Sequence, residues 1–472
     1  MSSYMWTEPG RREALKTMAN GFGLFGLAQM LGHGFAHGAV ADPLAPKQPH
    51  FAAKAKHVIF LFMNGGVSHV DTFDPKPMLT RFDGKPSPGG NPETERKTGN
   101  LMASPFAFRQ YGASGLPVSE LFPLTGRVID EVCVLRSMHT DIPNHPPAMQ
   151  MFSNGRNVVG TPSMGSWITY GLGTENRNLP GFVVLCPRRP ISPGALLWSS
   201  AFLPGAYQGT HIENLPGTED PARLVPDLKN RAKSVTEQRR QLDVLRELNA
   251  RHGAHRPGDR ELEASVQAME VAFRMQMEAS DAFDVRKESA ETRERYGDSN
   301  FGRGCLLARR MVERGVRVVQ VFYDAGQPWD HHADIMMHAK LAPAADRGLA
   351  ALLEDLKRTG LLKETLVLMG GEFGRTPTSE ISVRQFLQNG RDHNPYGYTL
   401  LLAGGGVKGG YAHGSTDDFG WRVADKPVHI HDLHATMLHL MGLDHTRLTY
   451  RYSGRDFRLT DVEGNVVHDI IA

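Results

Sequence analysis

The chain has 472 residues, enough for one large α/β domain or two ordinary ones with ample core. Its formal net charge of +2 gives no global reason to expect nucleic acid or an acidic partner. Three widely spaced cysteines, Cys133, Cys186 and Cys305, allow one disulfide at most and exclude a disulfide framework.

The first forty residues have the make-up of an address. Gly10-Arg11-Arg12 precedes a mildly apolar stretch over 18–31, and Ala39-Val40-Ala41 offers a small-residue cleavage site. Residues 1–41 resemble a twin-arginine export signal, with Ala14 where an aromatic residue or Leu is more usual. The competing reading is an amphipathic N-terminal helix. No later stretch is long and apolar enough to span a membrane, so the sequence predicts a periplasmic or extracellular protein without a transmembrane segment.

The domain proper is expected over 50–472. It opens on Lys56-His57-Val58-Ile59-Phe60-Leu61-Phe62-Met63, apolar on both faces as a central parallel strand should be. Asn64-Gly65-Gly66 follows, where the glycines allow a tight turn, and Asn64, Ser68, His69 and Asp71 crowd that strand end. Asp74 reads as a turn or capping residue. Residues 80–115 are polar, Gly/Pro-rich and without periodicity, which predicts an excursion loop. A short strand, Val132-Cys133-Val134-Leu135-Arg136, leads through His139-Thr140-Asp141-Ile142-Pro143-Asn144-His145 into a helix. Residues 225–297 then break the rhythm with two amphipathic stripes, predicting a helical-hairpin insertion whose Met and Phe positions are core.

The chemistry-bearing residues cluster over 316–402. Val318-Val319-Gln320-Val321-Phe322-Tyr323 precedes Trp329-Asp330-His331-His332 and a helical pattern over 338–358. Thr365-Leu366-Val367-Leu368-Met369 runs into Gly370-Gly371-Glu372-Phe373-Gly374-Arg375. Arg391-Asp392-His393-Asn394-Pro395 stands just before Tyr398-Thr399-Leu400-Leu401-Leu402. Short apolar runs joined by helices read as βαβ units of a parallel sheet, which binds ligands beyond the carboxyl ends of its strands. The third pair, Asp392-His393, precedes its strand, so the fold must bring it back to the same edge. A closing helix over 428–442, with His434 and His439 at packing or surface positions, and a hairpin over 454–472 complete the chain.

Several of these strings resemble known proteins. Asp141-Ile142-Pro143-Asn144-His145 nearly reproduces the Thr-Phe-Pro-Asn-His string of phosphodiesterases in the alkaline phosphatase and sulfatase superfamily. More closely, nearly everything after the signal resembles the bacterial family known as domain of unknown function 1501. That resemblance rests on Gly65-Gly66 with Asp71-Thr72-Phe73-Asp74-Pro75-Lys76-Pro77, on Gly165-Ser166-Trp167 and on Trp329-Asp330-His331-His332. It rests further on Gly371-Glu372-Phe373-Gly374-Arg375 and Gly454-Arg455-Asp456-Phe457-Arg458-Leu459-Thr460-Asp461.

The resemblance implies an alkaline-phosphatase-like three-layer α/β/α sandwich with a mostly parallel sheet. It implies one or two divalent metals (zinc, calcium, magnesium or manganese) at the strand ends, and an anionic ester or a sulfated or phosphorylated glycan as substrate. Carried over by position, the metal ligands are Asn64, Asp330, His332, Glu372 and His393. The nucleophile position falls on Asp141, with Thr140 beside it. Arg375 and Arg391 could clamp the anion bidentately or equally fix a carboxylate. Three positions depart from the pattern: Asn64 replaces an acid, Asp141 a hydroxyl or thiol, and Phe373 a ligand histidine. Two expectations stay open, a metal-dependent hydrolase of sulfate or phosphate esters and a non-catalytic metal- or glycan-binding member of the same fold.

Overall fold

A computed structural model of the chain describes residues 43–186, 193–214, 221–224, 234–254, 269–270, 273–274, 281–381 and 389–472. The segment expected to be an export signal and most of the second expected insertion stripe lie outside the described residues. The central sheet holds β1 (His57–Phe62), β2 (Val132–His139), β3 (Phe182–Cys186), β4 (Thr210–Glu213) and β5 (Val318–Phe322). It is completed by β6 (Thr365–Gly370), β7 (Tyr398–Ala403), β8 (Tyr411–His413) and β9 (Val428–His429). Their order is β8-β2-β7-β6-β1-β5-β3-β4, with β9 also paired to β2.

Alternation along the apolar runs creates the layers. Side chains of a strand point to opposite faces in turn, and all six residues of β1 are buried. Ile59 and Leu61 join a core built with α3 (Asn300–Val312) and α4 (His338–Arg358). Val58, Phe60 and Phe62 join the other core, with α1 (His145–Asn154), α2 (Met164–Leu172) and α5 (Ile430–Leu440). A strand with no polar face needs cover on both sides, and the two helical layers supply it. The fold is the expected α/β/α sandwich.

Every ladder in the sheet is parallel except those of β7, which runs antiparallel to both β2 and β6. The expectation of a third parallel unit is therefore corrected. Parallel neighbours need a crossover, usually a helix, and the described part of the β6–β7 connection contains none. The reversal has a consequence for the site. The start of β7 lies at the same sheet edge as the ends of β1, β2, β5 and β6, which returns Asp392-His393 to that edge.

Three further expectations are refined. Residues 80–115 are not merely a loop: Thr98–Leu101 pairs with Thr378–Glu380, and Phe108–Tyr111 pairs with Leu116–Ser119. The final hairpin is Tyr450–Tyr452 with Arg455–Phe457 rather than 454–472. Ser453 and Gly454 form its tip, both at positive φ, the backbone that a two-residue hairpin turn requires. His434 is buried within α5, its Nε2 2.8 Å from the Phe152 carbonyl. Helix Val235–Ala254 carries Val235, Leu242, Leu245 and Leu248 of the first insertion stripe, and Leu228 and Ala232 lie outside the described residues. All three cysteines are free and buried. No helix of the described residues is long and apolar enough to cross a membrane.

Phe60 is fully buried, with ring centroids 5.0 Å from Phe62 and 5.2 Å from Phe152. Phe60→Ala is expected to cost roughly 3–5 kcal/mol through the cavity it leaves. Chemical denaturation checks this, and an unmoved midpoint contradicts the packing.

Candidate metal centre

Three connections beyond the sheet edge carry the site. The loop after β5 supplies Asp330 and His332. After β2, the extended residue Asn144 caps α1, so His145 is its first helical residue and two prolines follow it. Proline is tolerated in a first helical turn because its missing N–H has no partner there. Before β7, His393 and Asn394 pair with Arg375 and Gly374 in a short antiparallel ladder. That ladder sets His393 beside Arg375. Gly65, at φ +114°, lets the β1 turn close on this group; a Cβ there would meet the Trp329 backbone nitrogen at 2.7 Å.

The geometry is convergent. His332 Nε2 lies 2.8 Å from Asp330 Oδ1, while His145 Nε2 and His393 Nε2 lie 3.2 Å from the same oxygen. The Nε2 atoms of His332 and His393 are 3.0 Å apart. Behind the rings stand acceptors for each Nδ1. His145 Nδ1 meets Glu372 at 2.6 Å, His332 Nδ1 meets Glu380, and His393 Nδ1 meets both Glu95 and the Pro143 carbonyl at 2.7 Å. Arg375 donates to Asp330 Oδ1 at 2.7 Å. The Asp330 side chain is 24% exposed, so the cluster opens to solvent on that side.

These partners decide the tautomers. Carboxylates and carbonyls accept only, so each neutral ring keeps its hydrogen on Nδ1 and aims the Nε2 lone pair at Asp330. Three lone pairs and a carboxylate oxygen then face one another, and only protons or a cation can satisfy them. His145 Nε2 is buried without a properly directed hydrogen-bond partner. Four ligand atoms bound tetrahedrally at 2.0–2.1 Å stand roughly 3.3 Å apart; the Asp330–imidazole and His332–His393 separations are 2.8–3.2 Å, and all four atoms lie within 4.8 Å of one another. The residues therefore fit a single divalent metal. Carboxylates holding the far ring nitrogen are the usual way a ligand histidine is oriented.

Charge states follow from the same contacts. Burial opposes the charge of Asp330, yet Arg375 and the three imidazoles hold its carboxyl far below the usual range. Burial likewise opposes protonation of His145, but attraction to Asp330 and Glu372 outweighs it and raises the pKa. For His332 the opposing pull of Asp330 and Glu380 again outweighs burial. His331 behaves differently. Its Nδ1 meets His338 Nδ1 at 2.7 Å, and burial, then the Arg375 charge, push its pKa down to about 4.

Of the residues expected at the site, the structure brings Asp330, His332 and His393 together directly. Glu372 stands one bond further out, on His145 and on the Gly65 N–H at 3.0 Å. Asn64 braces the loop after β5, donating to the carbonyls of Asp324 at 2.8 Å and Gly326 at 2.5 Å. Phe373, in place of a ligand, forms an apolar wall with its ring 4.8 Å from His145 and 4.5 Å from His393. Arg375 is wholly buried, and besides Asp330 it donates to the carbonyls of Gly65, Gly66 and Arg391. Arg391 is equally buried and holds Asp71 with two donors. Both guanidiniums thus fix protein groups rather than a ligand.

Asp141 is 76% exposed and lies 3.2 Å from His429 Nε2, outside the cluster. The Thr140 hydroxyl is buried and unpartnered. Both line a cleft of about 730 Å³ beside the cluster, with Glu95, Pro143, Tyr396 and Arg422. The sequence pattern assigns no role to His145, Glu95 or Glu380. His145 sat in a string read for its first residue rather than its last. Glu95 lies in the segment read as a loop, and nothing local marks it.

Residues 55–471 match a family described as "Protein of unknown function (DUF1501)". The chain belongs to this DUF1501 family. Among curated proteins none matches the chain significantly. Similar solved structures include a sulfatase from Pseudoalteromonas sp., 12% identical over 82% of this chain and 68% of that one, with a TM-score of 0.34. The lipoteichoic acid synthase of Listeria monocytogenes is 10% identical over 88% and 78%, with a TM-score of 0.35. A phosphonate monoester hydrolase from Silicibacter pomeroyi is 11% identical over 68% of each chain, with a TM-score of 0.30.

In this DUF1501 chain a metal must displace the protons on His145 and His332. Both pKa values are raised, so their stabilising contribution is complete below about pH 6.5 and fades as pH rises through the folded values. Metal affinity is expected to rise over the same interval, with protons released on binding. Calorimetry in buffers of different ionisation enthalpy reads the release, and proton-free, pH-independent uptake contradicts the site.

Proposed function

We propose that the protein is an exported, metal-dependent hydrolase of sulfate or phosphate esters, built on one divalent metal. The observation that carries this is the aim of three imidazole Nε2 atoms at one carboxylate oxygen, each ring held from behind by an acceptor. His145, His332, His393 and Asp330 would hold the ion; Glu372, Glu380 and Glu95 orient the rings. When bound, a divalent metal supplies Lewis acidity, drawing charge from an ester oxygen and acidifying water. Arg375 keeps Asp330 ionised and in place, and Phe373 excludes water from one wall. Among the described residues Asp141 and Thr140 stand outside the ligand set, which favours water as the nucleophile.

A second reading, a metal-binding member without catalysis, has one observation in its favour. The two arginines expected to grip the ester's anion are engaged by the protein itself. Turnover of aryl phosphates and sulfates by metal-loaded protein separates the two.

For the metal, His145→Ala and His393→Ala are each expected to weaken affinity at least as much as losing an outer partner, about 10–100-fold. The exposed His468→Ala is the control and should keep its metal. A wild-type protein that takes up no zinc, manganese, magnesium or calcium overturns the proposal, as do mutants that match the control. For export, replacing Arg11 and Arg12 by lysine is expected to leave the precursor in the cytoplasm; unchanged secretion removes the twin-arginine reading.

A further inference from the structure

We propose that His434 is a pH-sensitive latch on α1: its neutral imidazole pins the helix that carries His145, and its protonation frees that helix. The latch goes beyond the hydrolase reading and does not depend on it.

Two imidazoles of α5 hold the far end of α1. His434 Nε2 lies 2.8 Å from the Phe152 carbonyl, and His431 Nε2, three residues earlier, lies 2.7 Å from the Gly155 carbonyl. Carbonyls only accept, so both rings donate from Nε2. Phe152 is among the last four residues of α1, whose carbonyls find no partner within their own helix. The imidazoles supply the donors that this end of α1 lacks. His145 opens the same helix, so the position of α1 sets the position of that ring.

The bond from Nε2 leaves His434 with a bare Nδ1. That atom is buried without a hydrogen-bond partner, in a residue 1% exposed. A proton there would make a charged, unpaired donor inside the core, which is costly. Around the ring stand His431 and Asp432 on α5 and His429 at the end of β9. Asp432 is taken up by the backbone N–H groups of His429 and Asn465. Beyond His429 are His139 and Asp141, at and just after the end of β2. After His145, α1 has no ionisable side chain, and Arg156 beyond it pairs with Asp461 at 3.2 Å. Burial, then repulsion from His431, push the His434 pKa down to about 3 against the pull of the Phe152 carbonyl.

Released from α1, the ring would titrate near the ordinary value of about 6.5. The sign follows from a lowered pKa in the closed state. Above pH 6.5 the latch has its full strength. As pH falls from there, the ratio of closed to open drops by about tenfold per unit.

The test is hydrogen–deuterium exchange of the full chain between pH 7 and 4.5, with and without chelator, corrected for the intrinsic pH dependence of exchange. Where exchange follows the open population, amides of α1 are expected to lose protection by about tenfold per pH unit below 6.5, while those of α3 keep theirs. His434→Gln retains an amide donor for the Phe152 carbonyl but has no ring to titrate, and should show a flat profile over that interval. Protection of α1 that is independent of pH in the wild type overturns the proposal. A His434→Gln profile parallel to the wild type does the same. A slope seen only without chelator reports loss of metal and also overturns it. The wild-type measurement decides by itself if the variant does not fold.

Discussion

Three imidazole lone pairs and a carboxylate oxygen facing one another within 4.8 Å place a demand on everything around them, because neutral rings in that arrangement repel. Five carboxylates stand in or behind the cluster, and Glu372, Glu380 and Asp392 among them are fully buried. Buried charge persists only when it is paired and hydrogen-bonded. Arg375 answers one carboxylate directly, and protons on His145 and His332 answer part of the remainder. A divalent cation answers the deficit in the way that also satisfies the lone pairs.

The sheet makes this concentration of charge possible. Parallel strands deliver their following loops to one edge, and reversed β7 delivers its preceding loop to the same place. Two buried arginines then lock the loops together. Arg375 joins the turn after β1 to Asp330 from the loop after β5. Arg391 joins Asp71 to the carbonyls of Thr376 and Met102. Removing one partner from such a buried pair leaves an uncompensated charge, which costs more than losing a surface contact. Rigid loops keep the ligand set in register.

That bracing also narrows the chemistry. With its obvious anion-binding side chains tied to its own carbonyls and carboxylates, the proposed hydrolase would leave an ester's charge to the metal. Asn64 and Phe373 act in the same direction. One holds carbonyls of a loop and the other walls the imidazoles with carbon, so neither adds a ligand to the cluster.

Local pattern alone determined several of the central strands and helices. Five consecutive apolar residues in β1, Val58 to Phe62, cannot lie on a surface, and the 338–358 periodicity became α4 over the same residues, His338–Arg358. It also determined that Asp330, His332 and His393 stand beside strand ends, where ligands gather. Only the tertiary structure decided which charges meet. The direction of β7 depends on which neighbours it pairs with, and a strand's own residues do not record that. His145 became part of the cluster because α1 starts where β2 ends, and Glu95 because Thr98–Leu101 pairs with Thr378–Glu380 across nearly three hundred residues of chain. Arg375 and Arg391 look in sequence like hands for an anion. Their carbonyl and carboxylate partners are distant in the chain, and proximity of that kind exists only once the loops have closed.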